Sequence, residues 1–236
     1  MKFWKQLASD PIFPYFAPFF LFGFFLWLES LDPRAVYIVY PIKTFCVGMV
    51  LVLLWRRFPE FGPLTKPIIW QSAAIGAIAC VIWVGLDFVL IKRTTEELSK
   101  GFNPLLFKDS GWGWEMVAGL AAFRILGATI VVPIMEELFW RGFLMRFLIP
   151  ETQKDVINDN FEKVPMGTYG FFSFAVTTVA FACVHGVQWP LGLAVGVLYG
   201  WWFIRTKSLG AVMIAHGVTN LLLGVYVLVS QRWYFW

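Results

Sequence analysis

Seven stretches of mainly apolar residues dominate this chain and constrain its fold more than any other feature. They cover approximately residues 12–28, 35–55, 67–91, 116–148, 170–185, 189–204 and 209–230. A helix needs roughly 20 apolar residues to cross the hydrocarbon core of a bilayer. Only 14% of the residues are charged, whereas a soluble domain averages about 25%. The sequence therefore predicts an all-α, polytopic transmembrane helix bundle that is embedded in the lipid bilayer.

The apolar stretch at 116–148 decides whether the bundle has seven or eight spans. As one helix it would be about 50 Å long at about 1.5 Å per residue, which exceeds a hydrocarbon core of about 30 Å. Pro133 lies within it, and proline kinks helices. We favour one span kinked near Pro133, although a split into two helices would give eight. Residues 1–236 are predicted to form one integral membrane domain, with a motif-bearing core at about 116–230.

Basic residues are distributed over the segments that flank the apolar stretches. The segments on the same side as Lys2, Lys5, Arg56 and Arg57 hold more of them than the opposite side. The positive-inside rule therefore predicts that the N-terminus is cytoplasmic. The net charge is +4, but no dense Lys/Arg stripe or nucleic-acid motif occurs, so no nucleic-acid partner is expected. The sequence Arg232–Trp236 is typical of an interfacial aromatic anchor.

Acidic, basic and imidazole side chains in the fourth, fifth and seventh apolar stretches form three motifs. Glu136, Glu137 and Arg141 lie in the fourth, although a charge at bilayer depth costs about 2.5–3.5 kcal/mol on insertion scales. Both histidines of the chain, His185 and His216, also lie in or at the end of apolar stretches. Polar side chains from three helices could thus converge on one site.

The spacing of these residues predicts which of them share a helix face. Glu137 and Arg141 are four residues apart, as are His216 and Asn220, so each pair lies on one face. Glu136 points about 100° away from Glu137 and is left free for another partner. In the sixth stretch Gly192, Gly196 and Gly200 share one face, which predicts close packing against a neighbouring helix.

Carboxylates and imidazoles in one apolar pocket indicate hydrolysis. A glutamate and a histidine could hold and deprotonate a water, while a second imidazole and an amide N–H stabilise the oxyanion. Alternatively, the same side chains could bind a metal whose water attacks. Neither a His-Glu-x-x-His helix nor a Gly-x-Ser-x-Gly motif is present. Two non-enzymatic readings also remain: a membrane scaffold or chaperone in which the charges only tie helices together, and a small ion or proton transporter.

The three motifs together resemble the signature of the CPBP family, the CAAX proteases and bacteriocin-processing enzymes. They read Glu136-Glu137-x-x-x-Arg141, Phe181-x-x-x-His185 and His216-x-x-x-Asn220. The resemblance implies an intramembrane endopeptidase, which the family's usual label describes as a metalloendopeptidase. It implies that Glu136 acts as the general base together with His185. It also implies that His216 and Asn220 stabilise the oxyanion, and that Glu137 supports the site through its pair with Arg141.

The resemblance leaves the cofactor and the substrate open. Zinc or another divalent metal would be held by Glu136, His185 and His216, but a glutamate-activated water without metal is also argued for this family. A membrane-anchored protein or peptide is the implied substrate. The earlier segments Tyr40-Pro-Ile-Lys-Thr44 and Pro59-Glu60 are similar to a bacterial subgroup, the exosortase-associated CAAX prenyl protease-related proteins. That similarity implies a multi-pass protein of the bacterial cytoplasmic membrane.

Overall fold

The structure, a computed structural model, describes residues 10–58, 61–98, 100–150 and 160–236. Lys2, Lys5, Pro59, Glu60 and residues 151–159 lie outside the described residues. Seven main helices are present in the described part: α1 (Phe13–Leu31), α2 (Val36–Leu53), α3 (Lys66–Leu90), α4 (Gly113–Phe147), α5 (Phe171–Cys183), α6 (Trp189–Thr206) and α7 (Leu209–Ser230). Shorter helical turns connect them, at Trp55–Arg57, Thr95–Leu98, Pro104–Phe107, Phe161–Lys163, Gly186–Gln188 and Trp233–Phe235. These ranges contain no strand, which confirms the all-α prediction.

The helices α1–α4, α6 and α7 correspond to the six segments of the described chain that are long and apolar enough to cross a membrane. The remaining predicted span, at about 170–185, corresponds to the shorter helix α5. Its 13 residues measure about 20 Å at about 1.5 Å per residue. Helix α4 is continuous through Pro133, from Gly113 to Phe147. The described chain therefore contains no eighth span from a division of this segment.

The outer surface of the bundle is as apolar as its core. Val229 is 81% exposed, Phe171 78% and Trp70 75%. Soluble proteins rarely expose large continuous apolar patches, whereas a bilayer solvates such side chains and requires the backbone to bond internally, as helices do. The chain is therefore an integral membrane protein.

Helix α4 contains two π-helical segments, Gly127–Val131 and Leu138–Leu144, on either side of Pro133. The N–H of Val132 donates to the carbonyl of Gly127, five residues earlier. The next donor in this register would be Pro133, which has no N–H. The carbonyl of Ala128 is therefore left without its helical partner. Such π segments occur mainly as single wide turns, frequently at functional sites.

Helix α6 packs on α5 through its three glycines, as their spacing predicted. A Cβ atom on Gly192 would lie 3.1 Å from the Cα of Ala182, and one on Gly196 would lie 3.1 Å from the ring of Phe181. A Cβ atom on Gly200 would lie 2.7 Å from the ring of Phe174. These distances leave no room for a side chain, so the glycines set the separation of the two helices.

The C-terminal aromatic segment, predicted as an interfacial anchor, packs against the bundle. The 3₁₀ turn Trp233–Phe235 folds back after α7, and Trp233 is buried. The ring of Phe235 lies over Tyr226 of α7, with centroids 5.9 Å apart. Arg93 places its guanidinium 4.3 Å from the ring centroid of Tyr234.

Candidate active site

The pair predicted between Glu137 and Arg141 is present and fully buried within α4. Nη1 of Arg141 lies 3.1 Å from Oε1 and 3.0 Å from Oε2 of Glu137. Nη2 of Arg141 donates to the carbonyl of Gly196, at 3.2 Å. The guanidinium also lies over the ring of Phe181, 4.7 Å from its centroid. Arg141 thus joins α4, α5 and α6 through one charged group.

Glu137 also orients the first histidine of the site, His216 on α7. Nδ1 of His216 lies 2.9 Å from Oε1 of Glu137. Because a carboxylate oxygen accepts hydrogen bonds, we assign the hydrogen to Nδ1. The ring packs beside Tyr199, with centroids 5.2 Å apart. Nε2 is therefore the ring nitrogen of His216 that remains for a ligand.

The second histidine, His185, follows the last turn of α5. Its Nδ1 lies 2.7 Å from the carbonyl of Phe181, which can only accept, so Nδ1 carries the hydrogen. The ring of Trp83 packs at an angle against it, with centroids 5.2 Å apart. A Cβ atom on Gly192 would lie 3.1 Å from Nδ1, so the glycine of α6 makes room for the ring. Nε2 is again the free nitrogen.

Glu136, His185, His216 and Asn220 line one cavity of about 190 Å³ inside the bundle. Oε2 of Glu136 is buried and has no hydrogen-bond partner among the described residues. The carboxylate is close enough to His185 to interact with it electrostatically. A buried carboxylate oxygen without a donor carries a large desolvation cost. A ligand or water with a hydrogen to donate is therefore expected beside Glu136.

Asn220 is positioned by the irregular backbone of α4. Its Nδ2 donates to the carbonyl of Ala128, at 2.8 Å, the carbonyl that Pro133 leaves without a helical donor. A side-chain amide carries two N–H donors, so one remains for the cavity. The Cβ atom of an alanine at position 217 would lie 2.8 Å from the carbonyl oxygen of Thr129, so Gly217 permits this close approach of α7.

The cavity has further lining residues that the sequence analysis did not identify. They are Trp83, Val132, Phe181, Gln188, Val195, Tyr199, Thr219, Leu223 and Phe235. Tyr199 and Thr219 are polar side chains within apolar helices, and the hydroxyl of Tyr199 donates to Oγ1 of Thr219 at 2.7 Å. That polar character was a usable signal. Trp83 and Phe235 resemble other core aromatic residues, and only tertiary structure brings them to the cavity.

The residues proposed as metal ligands, Glu136, His185 and His216, share the cavity but do not form a three-ligand set. In the part of the chain that the structure describes, no group of three or more His, Cys, Asp or Glu side chains is arranged to hold a metal ion. Nδ1 of each histidine donates to an acceptor of the protein, so Nε2 is the ring nitrogen that could bind any ligand. The arrangement does not fit a metal centre, and the mechanism below uses no step through a metal.

Comparison with known proteins places this site within a family. Residues 118–222 match the sequence model of the family described as Type II CAAX prenyl endopeptidase Rce1-like. A search of curated proteins and a search of solved structures each found no match. The matched segment contains all three motifs, and with them Glu136, His185, His216 and Asn220. Over this segment, the chain is similar to the CAAX protease-like membrane proteins of the CPBP family, and the match supports its membership.

Proposed function

We propose that this protein is an intramembrane endopeptidase that hydrolyses a peptide bond of a membrane-associated protein or peptide through a water activated by Glu136 and His185. One observation carries the proposal. Glu136, His185, His216 and Asn220, taken from three separate motifs, line a single cavity in which a buried oxygen of Glu136 has no partner. The family match supports the same reaction class.

The water is held by two acceptors, which suits its two hydrogens. One O–H donates to the carboxylate of Glu136, and the other donates to Nε2 of His185, whose Nδ1–H is fixed on the Phe181 carbonyl. A lone pair of the water oxygen is then directed at the substrate carbonyl carbon. As the oxygen attacks, Glu136 accepts the proton, as expected for a general base.

The tetrahedral intermediate requires donors for its oxyanion. His216 with a proton on both nitrogens donates through Nε2–H, and the carboxylate of Glu137 stabilises the resulting positive charge through Nδ1–H. The second N–H of Asn220 is the other donor. Glu136 then transfers its proton to the amide nitrogen and the C–N bond breaks. The new carboxylic acid keeps the second proton of the water and passes it to the amine, so a carboxylate and an ammonium group leave.

Replacing His185 by glutamine tests the role of the imidazole against the nearby thiol. We expect peptide hydrolysis to fall by about 10²-fold or more, because the water loses one acceptor that positions it. Cys183 is exposed, two residues away, so Cys183→Ala is a matched control that should keep hydrolysis within about twofold, as for other surface changes. Rates on a fluorogenic membrane peptide measure both. Normal hydrolysis by His185→Gln, or its loss in Cys183→Ala, contradicts this assignment.

Replacing Pro133 by alanine tests the link between the π segment and Asn220. The new N–H at position 133 can donate to the Ala128 carbonyl and compete with the amide of Asn220. We expect thermal stability to be retained or raised and hydrolysis to fall by about tenfold, because small misplacements of catalytic groups are costly. If the Pro133→Ala protein has the activity and stability of the unmodified protein, the π segment at Gly127–Val131 has no role in positioning Asn220.

Finer parts of the proposal extend beyond the site. We propose a bacterial cytoplasmic membrane with the N-terminus inside, because basic residues are enriched on that side of the predicted spans. Cysteines introduced at the two ends of α3 and labelled from one side of the membrane test the orientation. The label of metalloprotease remains a prediction, tested by metal analysis of the purified protein and by chelator treatment during the hydrolysis assay.

A further inference from the structure

A second polar cavity lies beside the catalytic one, and its charges are not used by the proposed mechanism. It has a volume of about 370 Å³ and contains the side chains of Glu29, Lys43 and Arg124 in its wall. The two cavities share four lining residues, Val132, Asn220, Leu223 and Phe235. A molecule that occupies one cavity can therefore extend into the other past Asn220.

The charges of the second cavity do not cancel. Nζ of Lys43 lies 2.8 Å from Oε2 of Glu29, and this lysine is 1% exposed. Arg124 forms no ion pair with any carboxylate of the described residues, and its Nε is buried without a hydrogen-bond acceptor. One uncompensated cation thus remains inside an apolar bundle, where charges are costly and mark functional sites.

The guanidinium of Arg124 lies against two aromatic rings. It lies 4.3 Å from the ring centroid of Tyr40 and 5.7 Å from that of Phe102. The hydroxyl of Tyr40 donates to the Arg124 carbonyl at 3.2 Å. A Cβ atom on Gly127 would lie 2.7 Å from the Tyr40 hydroxyl oxygen, so a glycine allows this approach. These ring contacts restrict the position of the guanidinium and leave N–H groups free to bind an acceptor.

We propose that Arg124 binds a carboxylate group of the peptide substrate, and that this subsite determines where along the peptide the bond is cut. The inference rests on the proposed function and adds a specificity site to it. A planar guanidinium matches a carboxylate with two parallel hydrogen bonds. Lys43 is already neutralised by Glu29, so Arg124 is the group of this cavity that can provide the charge.

The position of Arg124 on α4 limits how far the carboxylate lies from the cut bond. Arg124 and Glu136 are twelve residues apart on one helix, about 18 Å at about 1.5 Å per residue. An extended peptide covers about 3.3 Å per residue. The recognised carboxylate is therefore within about five residues of the hydrolysed bond, as the C-terminal carboxylate or as an acidic side chain.

Binding by an inactive protein tests the subsite separately from hydrolysis. The Glu136→Gln protein in lipid nanodiscs is titrated with decanoyl-Gly-Gly-Leu bearing a free carboxylate, with its C-terminal amide, and with decanoyl-Gly-Asp-Leu amide. We expect at least one carboxylate probe to bind about tenfold or more tightly than the uncharged amide, the effect of a charge-assisted pair. Adding Arg124→Gln should bring all three affinities within about twofold, and Arg124→Lys should retain part of the preference.

A charge-neutral variant is the matched control for the same cavity. Glu29→Gln with Lys43→Met removes the ion pair but keeps Arg124, so the preference for carboxylate should persist. Size-exclusion profiles and thermal unfolding show that each protein is folded. The proposal is overturned if the acid and amide probes bind equally or if the control loses the preference for carboxylate. It is also overturned if decyl phosphate binds more tightly than both carboxylate probes. An unmodified protein that hydrolyses no peptide contradicts the proposed function instead, because the binding experiment does not depend on turnover.

Discussion

The Glu136→Gln protein is expected to lose peptide hydrolysis by about 10³-fold, within the range for removal of a general base. Glutamine has the shape of glutamate but cannot accept a proton from the attacking water. Oε2 of Glu136 makes no hydrogen bond among the described residues, so no protein contact depends on it. The melting temperature in detergent should therefore stay near that of the unmodified protein, while the initial rate on a membrane peptide collapses.

The same variant separates the enzyme from the two non-enzymatic readings. A scaffold or chaperone in which the charges only tie helices would tolerate Glu136→Gln, since the change preserves the shape of the side chain and keeps it polar. A proton or ion transporter would instead show a loss of flux in proteoliposomes without a peptide product. Hydrolysis that persists unchanged in a well-folded Glu136→Gln protein contradicts the assignment of Glu136.

Replacing Arg141 by methionine is expected to destabilise the bundle by about 3–5 kcal/mol, as for other broken buried ion pairs. The change leaves the carboxylate of Glu137 buried beside His216 without its cation. It also removes the donor to the Gly196 carbonyl and the contact with Phe181. Unfolding of the purified protein in detergent, followed by tryptophan fluorescence, measures the loss.

The matched control removes both charges of that pair. Arg141→Met combined with Glu137→Gln leaves no unpaired buried charge, so much of the stability should return. Activity should not return with it, because His216 loses the carboxylate that orients its ring. Equal stability of Arg141→Met and the unmodified protein contradicts a structural role for the pair. Replacing the two adjacent glutamates is thus expected to have different effects. The change at Glu136 lowers the rate of hydrolysis, whereas breaking the pair of Glu137 with Arg141 lowers the stability of the fold.

Much of this fold could be predicted because the bilayer restricts the solutions. Apolar length defined the spans, and the structure begins α3 at Lys66 and ends α7 at Ser230, each within one residue of expectation. The pairing of Glu137 with Arg141 followed from helical periodicity alone. The prediction that Glu136 is free also followed from its angle on the helix, and its buried Oε2 has no partner in the described chain.

Other features depend on backbone register and tertiary packing, which local patterns do not encode. Pro133 suggested a kink, whereas the chain adopts π segments whose unpaired Ala128 carbonyl captures Asn220. The aromatic tail has the composition of an interfacial anchor, and only the folded structure shows that Phe235 also lines the cavity of Glu136. Lys43 and Arg124 lie on different helices, 81 residues apart in the sequence, so only the folded bundle shows that they share a cavity.

Mass spectrometry of peptide products tests the central claim most directly. The unmodified protein and Glu136→Gln are reconstituted in separate lipid vesicles and incubated in ¹⁸O-labelled water with one set of acyl-anchored peptides. We predict new peptide C-termini that carry a single ¹⁸O atom with the unmodified protein, and none above background with Glu136→Gln. The account is contradicted if neither protein produces new termini, or if both produce the same termini at the same rate.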